Sequence, residues 1–366
     1  MILFALNKCL DVCYTYTMNI RKIIPLPIIL LFALASCKKG STPDPTPTPP
    51  NTTPDIYVVG SVGTATGKSV AAYWKNGVVT KLTDSVYGSD ARAIMVNNGD
   101  VYIVGALFGP SNSITAAYWK NGVITELPGD AGSGSEALGI ALQANDVYII
   151  GYINTDTDFE GRLWKNGVLT TLPSALSSSE AMAIKANGTD IYIAGDTRYD
   201  ILGDWTATYW KNGTSPTIIA PTSGSNSSEV FSIDINSSDI YMAGYTSGTV
   251  VDGVPTYWKN GVATQLTDGI STGSAYGIAI NGSDLIAAGY IRNKSTGFNV
   301  ATYWKNGTMV ALGDNSSNSY AEAIAFDNTD TYIVGSINNA PVYWKNGVET
   351  SLAKSGYAYG ITVVAK

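Results

Sequence analysis

The sequence predicts an all-β fold, a seven-bladed β-propeller with four antiparallel strands per blade. Three observations carry this reading. One unit recurs seven times between residues 55 and 366, its period matches a four-stranded blade, and every copy holds an Asn-Gly turn between two alternating runs.

The repeat has three motifs. Asp-x-Tyr-x-x-Gly begins at Asp55, Asp100, Asp146, Asp190, Asp239, Asp284 and Asp330, with the tyrosine replaced only by Ile286, and successive starts lie 44 to 49 residues apart. Tyr-Trp-Lys-Asn-Gly carries Trp74, Trp119, Trp164, Trp210, Trp258, Trp304 and Trp344, with Leu163 the one departure from tyrosine. Ala-x-small-Ile ends at Ile94, Ile140, Ile184, Ile233, Ile278, Ile324 and Ile361, its alanine becoming Val230 once.

One unit shows how these become strands, named a to d from the channel outward. Residues 136–142 read as strand a, 146–152 as b, 161–165 as c and 168–172 as d. Asn166-Gly167 joins c to d, because both residue types tolerate the positive φ of a type I′ turn. The aspartate before strand b is expected to cap the a–b turn. The tryptophan and tyrosine of strand c lie on opposite faces and are read as packing between blades. The domain starts with a strand b at Asp55 and ends with a strand a at 361–364, so pairing the two completes the seventh blade of the ring and removes two free sheet edges.

Composition agrees. The chain has 366 residues, 38 glycines, 23 tyrosines, 45% apolar and only 14% charged residues, which suits many short strands around a large core. There is no histidine, and no cysteine follows Cys37. The commonest general base, the commonest metal ligand, disulfides and a thiol nucleophile are therefore missing from the repeats. The formal net charge is −7 and there is no basic patch, so no nucleic-acid partner is expected.

Ahead of the repeats, Met18 is followed by Arg21-Lys22, an apolar run over 23–35, and Leu34-Ala35-Ser36-Cys37. The run is shorter than the ~20 residues that span a bilayer, so it reads as a signal peptide. Leu-Ala-Ser-Cys resembles the bacterial lipobox. That resemblance implies cleavage before Cys37, a diacylglyceryl thioether on it and acylation of the new N-terminus, a palmitate-type membrane anchor. The organisation expected is an upstream extension (1–17), a lipoprotein signal peptide (18–36), lipidated Cys37 with a Pro/Thr-rich, polyproline-like tether (37–54), and the propeller (55–366). Lipid, spacer and domain in this order are similar to outer-membrane lipoproteins of Bacteroidetes-like bacteria. Lys39 fits their surface-export signal, whereas Gly40 and Ser41 stand in place of its acids, leaving cell-surface and periplasm-facing placements open.

The pattern of Trp74, Gly77, Leu82, Ala91, Ile94, Gly99, Val101, Val104 and Gly105 resembles the HAF family of extracellular repeats and, more distantly, kelch-like propellers. The resemblance spans nearly all of 55–366 and implies architecture without a defined activity.

Differences between the copies locate the candidate site. The a–b and c–d turns are uniform, while the b–c and d–a loops vary and share the opposite face, where a ligand would sit. Strand a enters the channel from that face. Its first position holds Asp90, Glu136, Glu180, Glu229, Ser274, Tyr320 and Tyr357; two residues on stand Arg92, Leu138, Met182, Phe231, Tyr276, Glu322 and Tyr359. An acidic arc and a tyrosine arc there would suit a cation, a basic peptide or a sugar. Asn154, Asp156, Asp158 and Glu160 alternate oxygen ligands as calcium loops do, though Phe159 replaces the expected glycine and Lys165 the closing glutamate. Trp205, in the longest b–c insertion, would anchor a ligand if exposed and otherwise folds back on its blade.

Three functions follow: a monomeric, membrane-anchored binding module for a glycan, peptide or protein; a carbohydrate-active enzyme using carboxylates such as Glu136 and Glu180; or an envelope-structural protein. No cofactor other than calcium is expected, and sialidase-type Asp boxes are absent from the sequence.

Overall fold

The computed structural model describes residues 53–366 except 85, 156–157, 175, 199–202, 220–224, 249–252 and 270. Cys37, the signal peptide and most of the tether lie outside the described residues. Seven antiparallel four-stranded sheets make up the fold, and the described residues add only a 3₁₀ turn at Pro110–Asn112.

In chain order the strands are β1 (Asp55–Gly63), β2 (Ser69–Lys75) and β3 (Val78–Lys81). Blade two comprises β4 (Ser89–Asn97), β5 (Asp100–Phe108), β6 (Ile114–Lys120) and β7 (Val123–Glu126). Blade three comprises β8 (Gly134–Gln143), β9 (Asp146–Asn154), β10 (Phe159–Lys165) and β11 (Val168–Thr171). Blade four has β12 (Ser178–Asn187), β13 (Asp190–Arg198), β14 (Thr206–Lys211) and β15 (Thr217–Ile218). Blade five has β16 (Ser225–Asn236), β17 (Asp239–Gly248), β18 (Val254–Lys259) and β19 (Val262–Gln265). Blade six has β20 (Gly273–Asn281), β21 (Asp284–Arg292), β22 (Asn299–Lys305) and β23 (Thr308–Ala311). Blade seven has β24 (Ser319–Asp327), β25 (Asp330–Ile337), β26 (Ala340–Lys345) and β27 (Val348–Ser351), and β28 (Gly356–Val364) pairs with β1 to complete blade one.

The repeated tryptophans are the largest fully buried side chains, each at most 1% exposed. Trp119 packs with Tyr57, Val59 and Ala71 of the preceding blade, and Trp258 with Ala194 and Ala207 of its own predecessor. A face that one sheet cannot cover is thus covered by the next. A buried serine adds a polar tie between neighbours. Ser89, Ser135, Ser179, Ser228 and Ser319 each accept, through Oγ, the backbone N–H of Ala71, Ala116, Gly161, Ala207 and Ala301 one blade back. Blades five and seven carry Pro255 and Pro341 at that place in strand c. Proline has no N–H to donate, and the facing serine is replaced by Gly273 and Gly356.

The motif aspartate does not cap the a–b turn as expected; it starts strand b and clasps the c–d turn. Asp146 accepts from Asn166 Nδ2 at 2.7 Å and pairs with Lys165 at 2.8 Å, while Asn166 Oδ1 accepts the N–H of Val147. All seven blades repeat this clasp, for example Asp239 with Asn260 and Lys259. The asparagine is held at positive φ (50° at Asn260) in the predicted turn, so its amide points back along the sheet. The lysine ammonium also lies 5.0–5.3 Å from the ring of the motif tyrosine in the six blades that have one. These contacts explain why Asp, Tyr, Lys, Asn and Gly recur together. Replacing Asn260 with alanine is expected to cost about 1–2 kcal/mol, from two lost hydrogen bonds and a strained φ. Urea unfolding would check it, and a change below about 0.5 kcal/mol would refute the clasp.

The a–b turns form the uniform face. Gln143, Asn187, Asn236 and Asn281 each reach from the end of strand a to a carbonyl in the next blade's turn: Gly188, Ser237, Gly282 and Asn328. On the opposite face the b–c loop of blade four meets strand a of blade five, Ser228 N–H donating to Trp205 O, and the d–a loop before β20 meets the end of strand b, Arg292 N–H donating to Thr272 O.

Candidate functional site

The channel lining is set by a feature that period-two alternation does not show. Every innermost strand carries a β-bulge next to its motif alanine or valine. The extra residue in each is Arg92, Leu138, Met182, Phe231, Tyr276, Glu322 or Tyr359. These seven line a central cavity of about 230 Å³. The bulge also accounts for the glycine of strand b. At Gly60, Gly105, Gly151, Gly195, Gly244, Gly289 and Gly335 a Cβ would lie 1.8–2.0 Å from a carbonyl oxygen of the facing strand a, that of the residue just before the motif alanine or valine.

The residue before the motif alanine or valine stands opposite the one following the glycine. The pairs are Asp90 with Ala106, Glu136 with Tyr152, Glu180 with Asp196, and Glu229 with Tyr245. Ser274 faces Tyr290, Tyr320 faces Ser336 and Tyr357 faces Ser61. Tyr152, Asp196, Tyr245 and Tyr290 were not among the sequence candidates. The signal that could have found them is a variable position directly after an invariant glycine.

The acidic side divides in two. Arg92 lies 3.9 Å from Asp90 and 3.8 Å from Glu136, with its guanidinium 4.5 Å from the centre of the Tyr359 ring, so these acids are largely compensated. Glu180, Glu229 and Asp196 are less so. Burial pushes the Glu180 carboxyl up to about 7, reinforced by the charges of Glu229 and Glu136 and opposed by Arg198. Burial also raises Glu229, against the hydrogen bond it accepts from Tyr245. Asp196 is 2% exposed and accepts the Val230 N–H at 2.9 Å; its carboxyl is pushed well up by desolvation and by Glu229. In the channel, burial lifts Glu322 to about 7 despite the pull of Arg92.

The aromatic side is continuous. Phe231 packs on Tyr245 (6.0 Å) and edge-on to Tyr276 (5.3 Å); Tyr276 meets Tyr290 (5.7 Å), and Tyr290 meets Tyr320 edge-on (5.3 Å). Asn299 Nδ2 donates to the Tyr320 hydroxyl at 2.9 Å. Tyr357 and Tyr359 stack at 5.9 Å, and Tyr357 donates to Asn339. Between the rings lies a cavity of about 330 Å³ lined by Phe231, Tyr245, Tyr276, Tyr290, Ser274 and Gly273. Its space has a sequence cause. Six blades carry an acid or tyrosine where blade six has Ser274, and five carry serine where it has Gly273.

Trp205 is half-buried rather than an exposed anchor. Its indole lies 4.2 Å from the Arg198 guanidinium and 6.5 Å from Phe159, and its carbonyl accepts from Ser227 and Ser228. In the loop read as calcium-like, Asp158 sits 3.6 Å from Arg198 and Glu160 2.7 Å from Arg162, while Asn154 is held across from Phe159. Asp156 lies outside the described residues, and no group of three acidic, Cys or His side chains gathers as a metal site among the described residues.

No family model matches the chain, and no curated protein matches it. Solved structures do. A puromycin hydrolase S511A mutant complexed with PGG aligns at 11% identity and TM-score 0.56, over 83% of this chain and 53% of that one. A puromycin-hydrolyzing peptidase of Mycobacterium tuberculosis aligns at 10% and 0.54, over 82% and 53%. A further puromycin hydrolase aligns at 10% and 0.57, over 82% and 52%. The chain thus spans about half the length of these structures, and at such identity the likeness is one of fold: this is a β-propeller.

Proposed function

We propose that this protein is a membrane-anchored extracytoplasmic binding module, built of HAF-like repeats, that presents its b–c and d–a loop face to a glycan, peptide or protein. The lipid on Cys37 and the Pro/Thr-rich tether belong to this reading, with the domain at the cell surface or facing the periplasm. The observation that carries it is the aromatic cavity at the channel mouth, open in the blade where Gly273 and Ser274 replace larger residues. Half-buried aromatic rings around a concave space are what ligand sites commonly use.

Capture from glycan and peptide arrays, with and without calcium, tests this reading on the purified protein. The native chain is expected to retain one ligand class, and Tyr276→Ala to lose it at least tenfold. Equal capture by both removes the aromatic cavity as the site, and no capture by either removes the binding reading and leaves an envelope-structural role. A second reading, a carbohydrate-active enzyme, is favoured by the raised carboxyl of Glu180 beside Glu229 and Glu136. New reducing ends released from the array glycans by the native chain, and not by Glu180→Gln, would decide for it.

A further inference from the structure

Resting on that binding reading, we propose that the pocket of Phe231, Tyr245, Tyr276 and Tyr290, backed by Glu229, takes an organic ammonium group.

The first ground is shape. A sugar ring stacks on a flat platform, whereas a compact cation is held best by several ring faces turned toward one space. Here the rings are inclined to one another, at 67° for Phe231 and Tyr276, 39° for Tyr276 and Tyr290, and 35° for Phe231 and Tyr245. They enclose about 330 Å³, room for a substituted ammonium head and part of its chain. The second ground is charge. Tyr245 donates its hydroxyl to Glu229, which sets that carboxyl directly behind the cage, while burial holds Asp196 and Glu180 beyond it toward their neutral forms. Arg198 offsets part of that charge, and Arg292 acts on Tyr290 from an exposed position.

The third ground is a comparison within the molecule. Six motif tyrosines each have a lysine ammonium over their ring at 5.0–5.3 Å. Among the described residues, no lysine or arginine lies over Phe231, Tyr245, Tyr276, Tyr290 or Tyr320. Among the described residues, five rings thus gather at the mouth with no lysine or arginine stacked over any of them. Tyr276 and Tyr290 also pack ring against ring at 5.7 Å, which holds both rings before a ligand arrives.

The test is calorimetric titration of the full chain with choline, with Nα-acetyl-lysine methylamide, and with 3,3-dimethylbutan-1-ol, the uncharged carbon counterpart of choline. Choline is expected to bind saturably and the uncharged alcohol at least fivefold more weakly. Tyr276→Ala and Tyr290→Ala should each weaken choline at least tenfold. Glu229→Gln should weaken it several-fold, and Tyr276→Phe should stay within about twofold because the ring face is kept. Melting curves would confirm that each variant is folded. Equal binding of the neutral alcohol, or choline binding untouched by Tyr276→Ala, overturns the proposal. A glycan that binds this pocket while both ammonium probes fail also overturns it, yet leaves the binding module standing. If neither the probes nor the arrays yield a ligand, both readings fall.

Discussion

Gly244→Ala should destabilise the propeller by about 3 kcal/mol or more, enough that part of the protein fails to fold. The cause is local and rigid. A methyl at Gly244 would sit 1.8 Å from the carbonyl oxygen of Glu229, with the Glu229 carbonyl carbon and Val230 Cα at 2.8 and 3.0 Å. All three are backbone atoms of a bulged strand whose next residue, Phe231, lines the channel, so relief requires moving the bulge itself. Gly261→Ala is the control. It replaces a glycine at φ 81° with no atom within 4 Å, so only the left-handed backbone is penalised, at about 1 kcal/mol. Urea denaturation of both variants separates the causes. If the two cost the same, close approach is not what fixes the motif glycine, and the bulge loses its explanation.

Glu180→Gln should stabilise the protein at pH 8 by about 1–3 kcal/mol, a figure reduced for the solvent still touching a half-buried carboxylate. The folded-state carboxyl titrates at about 7, against 4.5 for the ordinary group. Between those values the folded protein holds a proton that the unfolded chain has released. Stability therefore falls as pH rises from about 4.5 to about 7, and is level above. Glutamine keeps the shape without the charge, so the variant should match the native protein near pH 4.5 and exceed it by a few degrees in Tm at pH 8. Glu322, also raised to about 7, adds the same slope from the channel. A native Tm that holds steady from pH 5 to 8, or a variant no more stable at pH 8, would show that burial and the neighbouring acids do not raise the Glu180 carboxyl.

The sequence was most informative where a contact is repeated seven times. Buried tryptophans, Asn-Gly turns and the pairing of β28 with β1 were legible because each leaves a residue type at a fixed offset. The aspartate was misplaced for a related reason. Its position after the a–b turn suggested a cap, and only the strand register puts Asp146 beside Asn166 and Lys165. The mouth was harder. The seven channel residues could be picked as a column, but a bulge has no signature in alternation, so their direction and the glycine opposite were not connected. Tyr245 and Tyr290 needed the pairing of β16 with β17 and of β20 with β21. Trp205 depended on Arg198, to which its indole turns.

The joint between β28 and β1 has a consequence for how the molecule is made. The two strands lie about 300 residues apart in the chain, and Lys366 adds an ion pair to Asp55 at 3.0 Å. A ribosome delivers β1, β2 and β3 first, as a sheet lacking its innermost strand until nearly everything else has emerged. During that interval β1 exposes an unpaired edge with four successive fully buried-type residues, Val58 to Ser61, in open solvent. Closing so large a loop costs on the order of 5 kcal/mol in chain entropy, recovered only when the last strand docks. Slow, late ring closure and a need for protection of the first-made segment are built into this order of assembly.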